Sequence, residues 1–357
     1  MSKKIEKRKS EDETGYNQMP PEDIFAYNEL RSCSDLFALY KKGILEIQPE
    51  FQRNEVWPSA YQTRFIDSLL KEMPIPSMCF SYDKIRNEMR VIDGLQRMST
   101  IIKFLDTKNE FKLIKLEDID PRISGKSNVQ IQDAKKDLFD NIANLSLPVT
   151  FLRVDHSKPE HDEYLFEIFH RLNTYGKKLN DQEIRNCIYS GSFNSLIKKL
   201  GEDVRWRKLL NFSKDTRFQK VELILRFFAF FDESQKYEGV LTKFLNDYMS
   251  KHRNESEKEL EQKESLFKNT VSIIFEKISN KGVLSRKPSR AFFESLLFGV
   301  ANNLQSLNKL DEKELKKYYQ KFEKDNNFKE TFLLEGTMKK AKVAKRLKRS
   351  RMIFSGR

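Results

Sequence analysis

Residues 88–105 read EMRVIDGLQRMSTIIKFL. MRVID is a short run fit for a strand, and MSTIIKFL carries its apolar residues at helical spacing, so the stretch predicts a strand, a turn at Gly94 and a helix. A strand that passes straight into a helix leaves its last polar groups beside the helix N-terminus, where backbone N–H groups and the helix dipole favour an anion. Those groups are Asp93 at the strand end, then Gln96 and Arg97, with Gly94 allowing the tight turn and a close approach of substrate. A carboxylate, an amide and a bidentate guanidinium within five residues can bind phosphate, position water or stabilise developing charge. The same spacing also fits a plain Arg97–Asp93 pair that caps the helix, and the residues alone leave both readings open.

Working outward, SMCFSY (77–82) reads as a partner strand joined to MRVID by the polar turn DKIRNE. Ser59 can cap SAYQTRFIDSLLKEM, in which Tyr61, Phe65, Ile66, Leu69 and Leu70 form one apolar stripe before Pro74 ends it. LRSCSDLFALYKKG (30–43) predicts a helix closed by Gly43, followed by a short strand ILEIQ. Residues 106–147 are polar and irregular, an inserted loop or helix, and LPVTFLRVD is a strand. EYLFEIFHRLNT puts Tyr164, Leu165, Ile168, Phe169 and Leu172 on one helical face. Asn180 followed by Glu183 has capping-box spacing and opens DQEIRNCIY. From about 195 the pattern is helical throughout, RFQKVELILRFFAFF and SRAFFESLLFGVANNL being the most apolar elements.

The expected fold class is therefore α+β, a small mixed sheet with surrounding helices followed by an all-α region. The expected partition is a flexible arm over 1–20, an α/β domain over 21–155, a helical domain over 156–335, and a basic C-terminal helix or tail over 336–357.

Composition narrows the function. The 357 residues are 38% hydrophobic, enough for a real core, and 66 Lys and Arg against 53 Asp and Glu give a net charge of +13. A polyanionic partner such as DNA suits that balance. Cys33, Cys79 and Cys187 lie far apart, which implies neither a disulfide framework nor a zinc cluster and fits a reducing cytoplasm. No stretch approaches the roughly 20 apolar residues of a membrane span, and the charged N-terminus lacks a signal core. Near the C-terminus, MKKAKVAKRLKRSR places Val343 and Leu347 at helical spacing beneath a basic face. Lys339, Lys340, Lys342, Lys345, Arg346 and Arg349 are expected there as contacts to DNA phosphates.

Two further polar clusters stand out. In PEFQRNEVW (49–57), Gln52, Arg53 and Asn54 sit between Phe51 and Trp57, large apolar residues that should anchor them. In RLNTYGKKLNDQEIRN (171–186), Arg171, Asn173 and Asn180 surround a turn at Tyr175–Gly176, and Arg185 follows in the next helix. A surface loop in the first case and turn and capping chemistry in the second explain the same residues.

The ordered set PEFQRN with Trp57, then IPIPS, then VIDG with Gln96 and Arg97, then RLNT, Gly176 and LNDQEIRN resembles the DGQQR-motif domain of modification-dependent, GmrSD-type (type IV) restriction systems. That domain is similar to the ParB and sulfiredoxin fold, and the resemblance spans roughly residues 30–230. It implies defence against phage DNA carrying modified bases. It implies a catalytic role for Asp93, Gln96 and Arg97, with Gln52 and Arg53 as neighbours in the site. By position, Asn54, Gly94, Asn173, Tyr175, Gly176 and Arg185 join them as substrate contacts. Leu95 departs from the family, which has glutamine there. The HNH-type nuclease of larger relatives is not legible: the four histidines, His156, His161, His170 and His252, lack its pattern, and His156 and His161 read as solvent-facing.

Three functions fit. The favoured one is base excision from modified, for example glucosylated, phage DNA, a glycosylase-like hydrolysis that needs no cofactor. In it Asp93 would face an oxocarbenium-like transition state, Gln96 and Arg97 would serve the departing base, and Tyr175, Trp57 and Phe51 would wall a flipped nucleotide. The alternative is a sensor that hydrolyses ATP or GTP with Mg and licenses a separate partner nuclease, at a site other than a Walker loop. The third is a DNA-binding adaptor with a degenerate site, for which Leu95 is the best argument.

Overall fold

The structure, a computed structural model, describes residues 20–47, 57–172, 179–210, 218–284, 289–329 and 336–356. They fall into two compact units that divide between Lys178 and Leu179. The expected arm, 1–20, lies outside the described residues but for its last.

The first unit is built on five strands: β1 (Phe25–Ser32), β2 (Leu45–Glu46), β3 (Met78–Asp83), β4 (Glu88–Asp93) and β5 (Ser146–Val154), in the spatial order β1-β5-β3-β4-β2. Pairing is mixed: β1 runs antiparallel to β5 and β3 to β4, whereas β5–β3 and β4–β2 are parallel. β3 and β4 lie inside the sheet and are buried along most of their length, which is why both read as nearly continuous apolar runs. Their hairpin is fixed by Asp83, whose Oδ1 accepts from the backbone N–H of Ile85 (2.9 Å) and Arg86 (3.0 Å). One face of the sheet carries Phe80, Val149 and Phe151 into a core completed by Phe65, Ile66 and Leu69 of the helix Ser59–Leu70. Met98, Ile101 and Phe104 of the helix Leu95–Leu105 join it. The chain is α+β, as its pattern predicts.

Three local expectations shift. The helix expected over 30–43 begins at Cys33, because Phe25–Ser32 instead pairs along the whole of β5 as an edge strand. Ser32 becomes the N-cap, its hydroxyl accepting from Asp35 N at 3.1 Å, and Leu30 is left 72% exposed on β1. Ser59 is not the cap of its helix; Pro58 occupies that position without a side-chain bond. The stretch 106–147 contains two short helices, Asn128–Ala134 and Lys136–Asn144. Asn128 organises it: fully buried, its Oδ1 accepts from Phe111 N (2.8 Å) while its Nδ2 donates to carbonyls that include those of Phe104 and Asn109 (both 3.2 Å).

The helix Pro159–Leu172 packs on β4, so the sheet-bearing unit extends well past 155. The second unit is helical. Its centre is the pair Gln219–Glu233 and Arg290–Ala301, with Trp206 fully buried between the rings of Phe267 (5.2 Å) and Phe293 (5.3 Å). Reciprocal capping boxes at Asn180/Glu183, Ser256/Glu259 and Asp311/Glu314 start three of its helices. The basic stretch forms the helix Lys340–Phe354, docked against Arg290–Ala301 by Arg346 on Glu294, Ser350 on the Ser295 carbonyl and Phe354 beside Gly299. It belongs to the helical unit and is no separate tail. Among the described residues no helix is long and apolar enough to cross a membrane.

Candidate active site

β4 ends at Asp93, and the next residue turns the chain. Gly94 has φ +93°, in the left-handed region, and a Cβ there would lie 2.6 Å from Met78 Cγ, so both conformation and space require glycine. The helix Leu95–Leu105 starts at once and has no side-chain N-cap bond. Within its first turn Arg97 reaches back. Its Nη2 donates to Asp93 Oδ2 at 2.8 Å, and its Nη1 donates to the carbonyl of Pro76 and lies 3.5 Å from that of Ser77. The guanidinium is largely buried (14% exposed), whereas the Asp93 carboxylate is 44% exposed. Burial pulls the Arg97 guanidinium below its ordinary value, and the charge of Asp93 works against that pull. The arrangement is a fixed cation behind an accessible carboxylate.

Gln96 is held differently: its Oε1 accepts from the backbone N–H of Trp57 at 2.8 Å, while Gln62 Nε2 donates to the Trp57 carbonyl at 2.9 Å. Trp57 in turn packs edge-on to Phe65 at 5.6 Å. The amide of Gln96 therefore couples the site to the segment that follows the PEFQRN motif. Leu95 is half-buried and packs on the apolar core, so its side chain serves packing.

The sheet register adds groups that the local sequence does not advertise. Asp93 pairs with Cys79, Cys79 with Thr150, and Thr150 with Asn28, so one row crosses four strands on a single face. Thr150 Oγ1 donates to Asn28 Oδ1 (2.8 Å) and lies 3.0 Å from Ser77 Oγ. Cys79 is buried, and burial together with the charge of Asp93 pushes its thiol up to about 12, so it stays protonated and is no nucleophile at neutral pH. The expected β3–β4 hairpin brings Cys79 to Asp93, and pairing with β5 and β1, distant in sequence, extends the row to Thr150 and then Asn28.

The other expected contacts separate into three groups. Gln52, Arg53, Asn54, Asn173, Tyr175 and Gly176 lie outside the described residues, as does Phe51. Arg185 belongs to the helical unit and is 1% exposed, its Nε donating to Asn246 Oδ1 at 2.7 Å; burial lowers its pKa, opposed by Glu222 and Asp181. A guanidinium enclosed in this way holds helices together rather than meeting a substrate. Arg171, beside the turn, is paired with Glu167.

The histidines expected at the surface are corrected: His156 and His161 are 6% and 1% exposed. His161 Nδ1 accepts from Asp155 N (3.0 Å), so its Nε2 carries the proton, directed at Asp23 Oδ1 (2.9 Å), and His156 Nδ1 meets the buried Asp162 carboxylate. They clasp the junction between β5 and the following helix. Bonds from Lys158 first and His161 second hold Asp23 down at about 2.

The basic C-terminal helix is also corrected in part. Arg346 is fully buried and donates to the equally buried Glu294, which removes it from any DNA contact. Lys340 pairs with Glu238 (2.8 Å) and Arg349 with Asp325 (2.6 Å), so two more of its charges are directed at the protein. Lys339 and Lys345 are exposed and Lys342 half-buried.

Residues 33–190 match the family model of the GmrSD restriction endonuclease, N-terminal domain. The match takes in the strand end at Asp93, the turn and the helix bearing Gln96 and Arg97, and covers somewhat less than half of the chain. No curated protein and no solved structure matches the chain.

Proposed function

We propose, from the premise that residues 33–190 are a GmrSD-type domain of a restriction and phage-defence protein, that this chain excises modified bases from DNA at Asp93. The observation that carries the reading is the half-exposed Asp93 carboxylate fixed at the strand end by a largely buried Arg97.

Hydrolysis of an N-glycosidic bond builds positive charge on the sugar ring as the base departs. A carboxylate held beside the ring stabilises that charge electrostatically. Water adds at the anomeric carbon as the bond to the base nitrogen breaks; the electron pair leaves with the base, which takes a proton, and an abasic site remains. Arg97, bonded to Asp93 and to the Pro76 carbonyl, is a positioning residue that keeps the carboxylate in place. Gln96 accepts through its oxygen, so its amide nitrogen is the donor end. Asn28 and Thr150 continue the row, with Ser77 bonded to Thr150, and offer neutral hydrogen-bonding groups suited to a base edge or to hydroxyls on it.

The test is to incubate the purified chain with duplexes of plain and glucosylated DNA and to assay the low-mass fraction for free base. Modified base released from the second duplex alone is expected. Intact DNA in both, with phosphate released from added ATP or GTP, would replace this reading with the nucleotide-hydrolysing sensor. One observation favours that second reading: the uncapped N-terminus of the helix Leu95–Leu105 beside Arg97 suits a phosphate as well.

A further inference from the structure

One face of the sheet is closed along part of its length and open beside Asp93. The row Asp93–Cys79–Thr150–Asn28 marks the boundary. Two residues further along β3 and β5, on the same face, the paired Ser81 and Leu152 are 3% and 7% exposed. In the other direction Leu30, paired with Pro148, is 72% exposed, and Asn28 and Ser77 are exposed as well. We propose that Asn28, Thr150 and Ser77 form a specificity-determining subsite for a hydroxyl-bearing substituent, a hexose, on the base released beside Asp93. The proposal rests on the base-excision reading above and assigns its selectivity to side chains outside the stretch 88–105.

Distance decides which part of the substrate these groups meet. Neighbouring strands lie about 4.8 Å apart, so Thr150 stands about 10 Å and Asn28 about 14 Å across the sheet from Asp93. With the bond to be broken held at Asp93, that is farther than one pyrimidine ring spans: a plain base leaves these groups to water, and a substituent extending from it reaches them. The bonding directions are set as well. Thr150 Oγ1 donates to Asn28 Oδ1 at 2.8 Å, so Asn28 Nδ2 is the outward donor, and it bonds nothing among the described residues. Ser77 Oγ lies 3.1 Å from the Met78 carbonyl, to which it donates, and 3.0 Å from Thr150 Oγ1, and keeps a lone pair with which to accept. A donor and an acceptor beside the apolar Leu30–Pro148 pair match the hydroxyls and the C–H face of a sugar. A phosphate would call for a cation, and among the described residues none bonds these three side chains. Ser77 also ties the subsite to the reaction centre, its carbonyl lying 3.5 Å from Arg97 Nη1, next to the Pro76 carbonyl that this guanidinium bonds.

The test measures binding of the full chain carrying Asp93→Asn, which leaves its DNA intact, to three fluorescent duplexes: plain, with hydroxymethylcytosine, and with glucosylated hydroxymethylcytosine. The chain is expected to prefer the glucosylated duplex. Adding Asn28→Ala with Thr150→Val is expected to weaken that binding about tenfold, the loss of two hydrogen bonds, and to leave the other two duplexes unchanged. Asn28→Ala alone, at an exposed position, is expected to show the same selective loss at smaller size, and Thr150→Ser, which keeps the hydroxyl, to retain the preference. Equal weakening on all three duplexes by Asn28→Ala, a preference that survives the double variant, or equal binding of all three duplexes before either change overturns the subsite. Binding needs no bond cleavage, so the two readings fail separately. A sugar preference that depends on these residues, without release of base by the chain that keeps Asp93, counts against the Asp93 reading alone. Base release from the glucosylated duplex that is insensitive to Asn28→Ala with Thr150→Val counts against this subsite alone.

Discussion

At the scale of single residues, the account turns on groups that hold Asp93 where it is. Arg97 spends its donors on Asp93 and the Pro76 carbonyl, and Gly94 makes the turn that brings them together. Gly94→Ala forces a Cβ into Met78 at a left-handed φ, and should destabilise the chain by about 1–3 kcal/mol, read as a lowered urea midpoint with an unchanged slope. Asp23 offers a pH test. Its pKa falls from 3.8 to about 2 on folding, so its contribution is present above the unfolded value and lost as pH drops through the folded one. Asp23→Asn should therefore melt lower than the parent near about pH 5, and the gap should close between about pH 4 and 2. Asp93, Gln96 and Arg97 were legible because five consecutive residues state them. His156 and His161 were not, because their partners include Asp83, 73 positions from His156, and Asp23, 138 positions from His161.

At the scale of elements, what the sequence shows well is what a helix or strand decides for itself. The capping box at Asn180 and Glu183 is present as its spacing predicts; of the stripe read in Ser59–Leu70, Phe65, Ile66 and Leu69 are buried while Tyr61 is 61% exposed, and the strongly apolar Arg290–Ala301 is buried all round. β1 escaped notice because FAYNELRS gains its strand character from pairing with β5 more than a hundred residues later. The helix Lys340–Phe354 is the reverse case, a basic pattern that reads as a DNA-facing tail yet docks by a buried ion pair. Breaking that pair by Arg346→Ala leaves the enclosed Glu294 with Arg226, 3.9 Å away, as its remaining cation, and should cost about 3 kcal/mol in equilibrium unfolding. Replacing both partners, Arg346→Met with Glu294→Leu, should restore only part of that stability, since it removes two buried ions but leaves Arg226 with Glu222 alone. A single variant as stable as the parent would show that the pair does not anchor this helix.

At the scale of the whole molecule, a sheet-bearing unit carries the Asp93 turn and a helical unit makes up the rest of the described residues. The alternation of strands and helices followed by helices alone gave away the α+β class. The place where the units divide lies beyond the expected 155, because the helix Pro159–Leu172 looks like the start of a helical region but is buried against β4. The net charge of +13 pointed to a polyanion without saying where it binds, since that depends on which lysines and arginines the fold turns inward. The most direct measurement of the central claim compares the parent chain and Asp93→Asn on plain and glucosylated DNA, scoring strand breaks before and after alkali. Breaks that arise only after alkali, only on glucosylated DNA and only with the parent chain are predicted; breaks that persist with Asp93→Asn, or that form without alkali, would contradict base excision at Asp93.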